Sequence, residues 1–197
     1  DYMKYTKATA RTLYLTGSSY EIGFRLGDVI SKDTVWRRKC VSHNNKMNQN
    51  RLEKINSLLD IWCPGLCDEL KGIADALHVE PKDLYFYHMT HLVPNCSQIA
   101  VCFSITKEKK PLLARNFEFS DEIEDFTLIK TSVTGKYTHM GTSILAAGRD
   151  DGINEYGLAV TMTSCGMPVV DLPYMKTPCI EGLQYWIVVR ALLENCR

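Results

Sequence analysis

The residues that could carry chemistry cluster around one thiol. Cys96 stands between Asn95 and the run Ser97-Gln-Ile-Ala-Val101, where a helical pattern gives way to short β-like runs. A cysteine at the start of a strand can be exposed and attack an electrophile, whereas Cys102, flanked by Val101 and Phe103, reads as core. If residues 97–106 and 111–119 pair as a hairpin, the turn lies near 106–110 and its midpoint at 107 or 108. Reflection through that midpoint sets Cys102 against the apolar residues 112–114. It sets Cys96 against residues 118–120, beside the Glu118 carboxylate and near Arg115. A guanidinium beside a thiol favours the thiolate or holds a substrate carboxylate. Arg115 and Glu118 are an odd number of positions apart, so a regular strand would turn them to opposite faces. A bulge or a twisted strand end is needed to bring both to one site. On chemistry alone a lone cysteine is more often structural than catalytic, and both readings stay open at this point.

Other reactive side chains carry less. Cys63-Pro-Gly-Leu-Cys67 has three residues between its cysteines and no second pair at finger spacing, so it reads as a helix–helix turn with buried thiols. His88 and His91 share a helix face, with no third metal ligand nearby. No metal and no cofactor are expected. Gly23-Phe-Arg-Leu-Gly27 suggests close backbone packing of a helix against another element.

These side chains need elements to hold them. Before residue 95 the apolar spacing is helical, over 20–45, 51–62, 66–77 and 81–91. Ser18 or Ser19 suits the first cap, with Glu21 in the first turn. After residue 95 come short strands at 97–106, 111–119, 126–134, 141–147 and 157–164, with a turn at Asp150-Asp151-Gly152. Residues 181–196 are helical again. Consecutive strands with short polar turns imply an antiparallel sheet with helices packed on it, an α+β fold.

Composition removes several function classes. The chain has 197 residues, 45% of them hydrophobic and 23% charged, which is ordinary for a globular domain. Its 23 basic and 23 acidic residues leave no net charge, and no basic stripe marks a nucleic-acid partner. No apolar run is long enough to span a bilayer, and the N-terminus shows no apolar signal-peptide core. Eight cysteines, several inside apolar periodic segments, read as free thiols in a reducing compartment, and a cytoplasmic location is expected.

Four segments in order resemble one known family. They are Leu15-Thr-Gly-Ser-Ser-Tyr-Glu-Ile-Gly-Phe-Arg-Leu-Gly27, Glu69-Leu-Lys-Gly-Ile-Ala-Asp75, Asn95-Cys-Ser with Leu113-Ala-Arg-Asn-Phe-Glu-Phe119, and Gly152-Ile-Asn-Glu-Tyr-Gly-Leu-Ala-Val160. Together they are similar to the acyl-coenzyme A:6-aminopenicillanic acid acyltransferase-like peptidases, a branch of the N-terminal nucleophile (Ntn) hydrolases. The resemblance implies a helical precursor segment, residues 1–95, followed from Cys96 by part of a four-layer αββα sandwich. It implies self-cleavage between Asn95 and Cys96. The freed α-amino group then serves as general base for the Cys96 thiol, which takes an acyl group as a thioester. It implies that Arg115 and Glu118 orient nucleophile and substrate, and that Asn116, Asn154 and Ser164 are substrate or oxyanion positions. The substrate would be a small acylated amine or an acyl-coenzyme A, and a homo-oligomer is compatible with it.

The chain departs from the family at three positions. Residue 95 is asparagine in place of glycine, and 118 is glutamate in place of aspartate. Ser164 stands where bile-salt-hydrolase relatives carry an oxyanion-hole asparagine, so backbone N–H groups around 163–166 would substitute. Family members also continue past residue 197 with further strands, which implies a partial sandwich with an exposed sheet face. Two rivals stand beside this reading. One is a choloylglycine-hydrolase or penicillin-acylase activity, against which the 95 residues before Cys96 weigh. The other is a non-catalytic remnant that binds or supports.

Overall fold

The chain enters its sheet through a strand that leaves no hairpin signal. In the computed structural model, which describes residues 9–42, 47–88, 96–118, 124–163 and 182–197, β1 (Arg11–Gly17) pairs in parallel with β4 (Thr127–Val133). The register runs from Arg11 opposite Thr127 to Gly17 opposite Val133. The segment before residue 95 therefore opens with a strand. The sheet is mixed rather than purely antiparallel, because β1 joins β4 in parallel, and a partner so distant in sequence shows in neither turn residues nor local periodicity. β5 (His139–Ile144) follows antiparallel to β4. It then pairs with β6 (Gly148–Arg149) and β7 (Asp151–Asn154), and β7 carries β8 (Ala159–Thr161) at the edge. The expected turn at 150–152 lies earlier. Leu145 and Ala146 make it with positive φ, and Asp151 already belongs to β7.

The helices form for readable reasons. Ser18 caps α1 (Ser19–Ser31) in a capping box, its side chain accepting from Glu21 N while the Glu21 carboxylate takes Ser18 N at 2.8 Å. The single helix expected over 20–45 is two. Asp33 accepts from Val35 N and Trp36 N at 2.9 and 3.0 Å and so starts α2 (Thr34–Cys40) within the same apolar rhythm. α3 (Gln49–Trp62) ends at Cys63-Pro-Gly, and α4 (Leu66–Leu77) begins after Gly65, whose φ of 84° is left-handed. The fourth expected helix is shorter, a 3₁₀ turn at Pro81–Asp83 and then α5 (Tyr85–His88); residues 89–91 lie outside the described part. α6 is Tyr185–Asn195.

α1 and α4 meet without room for side chains at the crossing. A Cβ on Gly23 would stand 2.0 Å from Glu69 O, and one on Gly72 would stand 2.3 Å from Tyr20 O. Their inner faces join β4 and α6 in one core that includes Ile22, Leu26, Leu70, Ile73, Ile129 and Trp186. The core thus draws on residues from both sides of position 95. Alternate residues of β4, from Thr127 to Val133, are buried on this helical side. α6 is locked to α4 by Arg190, which ion-pairs with Glu69 and, at 2.8 Å, with Glu194. Burial opposes charge on Glu194, yet Arg190 and Lys136 hold its carboxyl down at about 2.

A second, two-stranded sheet stands apart. β2 (Ser97–Val101) and β3 (Leu112–Asn116) are antiparallel, with Ser97 opposite Asn116 and Val101 opposite Leu112. The hairpin midpoint falls between Thr106 and Lys107, slightly earlier than expected, because both strands stop short and a loop held by Thr106 and Lys110 joins them. Cys102 lies past the end of β2 and is exposed, which corrects its assignment to the core.

Candidate active site

Cys96 directly precedes β2 and is half-buried. Arg115 sits near the end of β3, opposite Gln98, and its Nη2 donates to Cys96 Sγ at 3.2 Å. Its Nη1 donates to Asp151 Oδ2 at 3.1 Å and to the Asp150 carbonyl at 3.3 Å. The Phe117 ring lies 4.7 Å from the guanidinium carbon. The Arg115 side chain is only 6% exposed. Burial opposes its charge, but the hydrogen bond to Cys96 and the nearby Asp150 raise it further above the usual arginine range, so it stays a cation. Its Nε is buried without a partner among the described residues.

The main sheet presents the acidic half of the site. A Cβ on Gly152 would touch Leu193 of α6, and Asn154 bonds the α6 carbonyl of Leu193, so these two residues of β7 face the helix. Alternation then turns Asp151 to the opposite face, where the hairpin meets it. Both Asp151 oxygens are held, Oδ2 by Arg115 and Oδ1 by Thr142, from its hydroxyl at 2.6 Å and its N–H at 3.2 Å. Asp150, one residue earlier, is fully buried. Its Oδ1 accepts from Tyr185 OH at 2.8 Å, and its Oδ2 has no partner among the described residues. Burial pushes the Asp150 carboxyl up to about 7, against the Tyr185 bond and the Arg115 charge, which favour ionisation. Burial and Asp150 together push Tyr185 up. The Thr163 hydroxyl donates to the Cys96 carbonyl and fixes the backbone beside the thiol.

The structure brings together two of the residues expected at the site, Cys96 and Arg115. Glu118 and Asn116 are exposed and bond each other, Asn116 Nδ2 donating to Glu118 Oε1 at 2.7 Å. Continuing the β2–β3 register sets Phe117, not residues 118–120, opposite Cys96. The carboxylate that reaches Arg115 is Asp151. Asn154 is committed elsewhere. Its Nδ2 donates to Leu193 O and Cys196 O, and its Oδ1 accepts from Tyr156 N and Leu158 N, so no capacity is left for an oxyanion. Asn95 and Ser164 lie outside the described residues. Asp150, Asp151 and Tyr185 were not found from sequence, and Thr163 was expected for its backbone N–H rather than for its hydroxyl. The acidic pair read as a turn, and only the three-dimensional approach of hairpin to sheet gives it a role.

The six cysteines among the described residues are free thiols. Burial first, then neighbouring carboxylates, pushes Cys63 and Cys67 up to about 12, which suits inert packing thiols. Among the described residues no three histidine, cysteine or acidic side chains are grouped to hold a metal, and no helix is long and apolar enough to cross a membrane. His91 lies outside the described part. A cavity of about 690 Å³ opens between α3, Phe86, Tyr87 and the start of α6, and neither Cys96, Arg115 nor Asp151 lines it.

Residues 105–197 match the family described as acyl-coenzyme A:6-aminopenicillanic acid acyl-transferase. This stretch carries Arg115, Asp150, Asp151 and Tyr185, and the match bears out the family resemblance read in the sequence. At family level it supports an enzyme of the acyltransferase or hydrolase type. Cys96 lies just before the matched stretch. No curated protein matches the chain.

Proposed function

We propose that the chain is a cysteine Ntn acyltransferase or amidohydrolase that processes itself between Asn95 and Cys96. Its substrate is a small acylated amine or an acyl-coenzyme A. The observation that carries this reading is the Arg115 Nη2 to Cys96 Sγ hydrogen bond of 3.2 Å at the head of a strand. It joins a nucleophile to a buried cation in a segment adjoining the family match.

In the proposed cycle the Cys96 thiol attacks the carbonyl of residue 95, the peptide nitrogen leaves as the Cys96 amine, and water opens the resulting thioester. That amine then accepts the thiol proton as sulfur attacks the acyl carbonyl of the substrate. The tetrahedral oxyanion collapses, the protonated leaving group departs, and the acyl group stays on sulfur until water or an amine takes it. Arg115, with Nε unpartnered and Nη2 on the sulfur, is placed to steady charge as it develops there. Hydrolysis against transfer depends on which nucleophile reaches the thioester.

An activated acyl ester tests the reading. Mass spectrometry should find one acyl group on Cys96, released by hydroxylamine as expected of a thioester, and none on the exposed Cys102. Acylation of both thiols at similar rates would refute the assignment.

A further inference from the structure

We infer that Asp151 is the positioning carboxylate of this site, the residue that aims the Arg115 guanidinium at the Cys96 sulfur. The inference rests on the Cys96–Arg115 reading above and assigns a residue that the family resemblance did not suggest.

Three features lead to it. Arg115 divides its terminal nitrogens between two masters, Nη2 on Cys96 Sγ and Nη1 on Asp151 Oδ2 and the Asp150 carbonyl. A planar guanidinium fixed through Nη1 has its other nitrogen fixed in direction too. Asp151 is itself immobilised, because Thr142 holds Oδ1 through both hydroxyl and backbone N–H. The chain Thr142, Asp151, Arg115, Cys96 thus runs from β5 through β7 and across to the hairpin without a loose link. Among the described residues β2 and β3 share no hydrogen-bonded strand with the main sheet, so the Arg115–Asp151 pair is one of the polar ties between the two. Glu118, the acid closer in sequence, is exposed and occupied by Asn116.

A carboxylate that only neutralised Arg115 would weaken the pull of the cation on sulfur. One that orients it makes that pull effective, so removing it has the opposite sign. The experiment is site-resolved alkylation of the full chain by iodoacetamide at fixed pH, with the Cys96 rate divided by that of the exposed Cys102. Asp151→Asn keeps size and shape. It should lower the ratio by roughly tenfold, the worth of one charge-assisted hydrogen bond. Asp151→Glu, which restores the charge, should recover part of the loss, and a role in packing alone would show no such recovery. Thr142→Val, which removes the hydroxyl bond to Oδ1 and keeps the backbone N–H bond and the charge, should lower the ratio by a smaller factor, and it keeps the test open if Asp151→Asn fails to fold. Glu118→Gln should change the ratio less than Asp151→Asn does.

A ratio that rises in Asp151→Asn, stays level, or falls without recovery in Asp151→Glu would overturn the inference. So would a Glu118→Gln effect equal to or larger than that of Asp151→Asn. Arg115→Ala separates the two levels. If it lowers the ratio while Asp151→Asn does not, Asp151 loses its role and the proposed function stands. If it leaves the ratio level as well, the Cys96–Arg115 reading falls and the inference with it.

Discussion

At the scale of single residues, two thiols six positions apart stand in different surroundings. Cys96 touches a buried guanidinium, and Cys102 is exposed beyond the strand end. Cys96→Ser should slow or stop self-cleavage, read as loss of the two fragments on a denaturing gel, since a hydroxyl is the poorer nucleophile at neutral pH. Cys102→Ala should leave cleavage intact and change stability by no more than about 0.5 kcal/mol, as for other exposed positions. A cleavage block in a folded Cys102→Ala would move the nucleophile. The place of Cys96 at the head of a strand was legible in the sequence, since the boundary between helical and strand patterns falls at residue 95, whereas the exposure of Cys102 was not. The acidic partner was not. Hairpin reflection can pair residues only within the hairpin, and Asp151 arrives from another sheet.

At the scale of elements, the tie between α6 and α4 is the feature most open to test. Arg190 is fully buried with Glu69 and Glu194 around it, and a buried charge left alone is costly. Arg190→Met should lower unfolding free energy by about 3–5 kcal/mol in urea titration, because two carboxylates lose their main counter-charge. A loss below about 1 kcal/mol would mean that water reaches this cluster. Helix positions were largely readable, α4 to the residue and the α1 cap from Ser18 and Glu21. The break at Asp33 was not, because a capping aspartate sits inside an unbroken apolar rhythm. β1 also escaped, since the strand it pairs with, β4, lies far along the chain.

At the scale of the whole molecule, buried titratable groups set the response to pH. Folding raises Asp150 to about 7 and Glu124 to about 7, chiefly by burial. The folded chain therefore holds protons that the unfolded chain has released, and these groups cost stability as pH rises from about 4 to 7. Folding lowers His139 to about 3, by burial first and then by Arg149. The unfolded chain binds that proton more readily, so His139 costs stability as pH falls from about 6.5 towards 3. The two trends oppose each other and are separated by substitution. Asp150→Asn should gain melting temperature relative to the unsubstituted chain, by more at pH 8 than at pH 5. An equal gain at both pH values would mean that Asp150 is ionised throughout.

The α+β class was legible at this scale from the change of periodicity near residue 95. The mixing of parallel and antiparallel pairs was not, nor was the meeting of hairpin and main sheet around Arg115. Both depend on contacts between residues far apart in sequence, which no local pattern records.

The most direct test of the central claim, that Cys96 is a self-processing nucleophile, is the intact mass of the purified protein under denaturing conditions. Two fragments are expected, the second beginning at Cys96 with a free amine. A single uncut chain, unchanged after prolonged incubation at neutral pH, would contradict it.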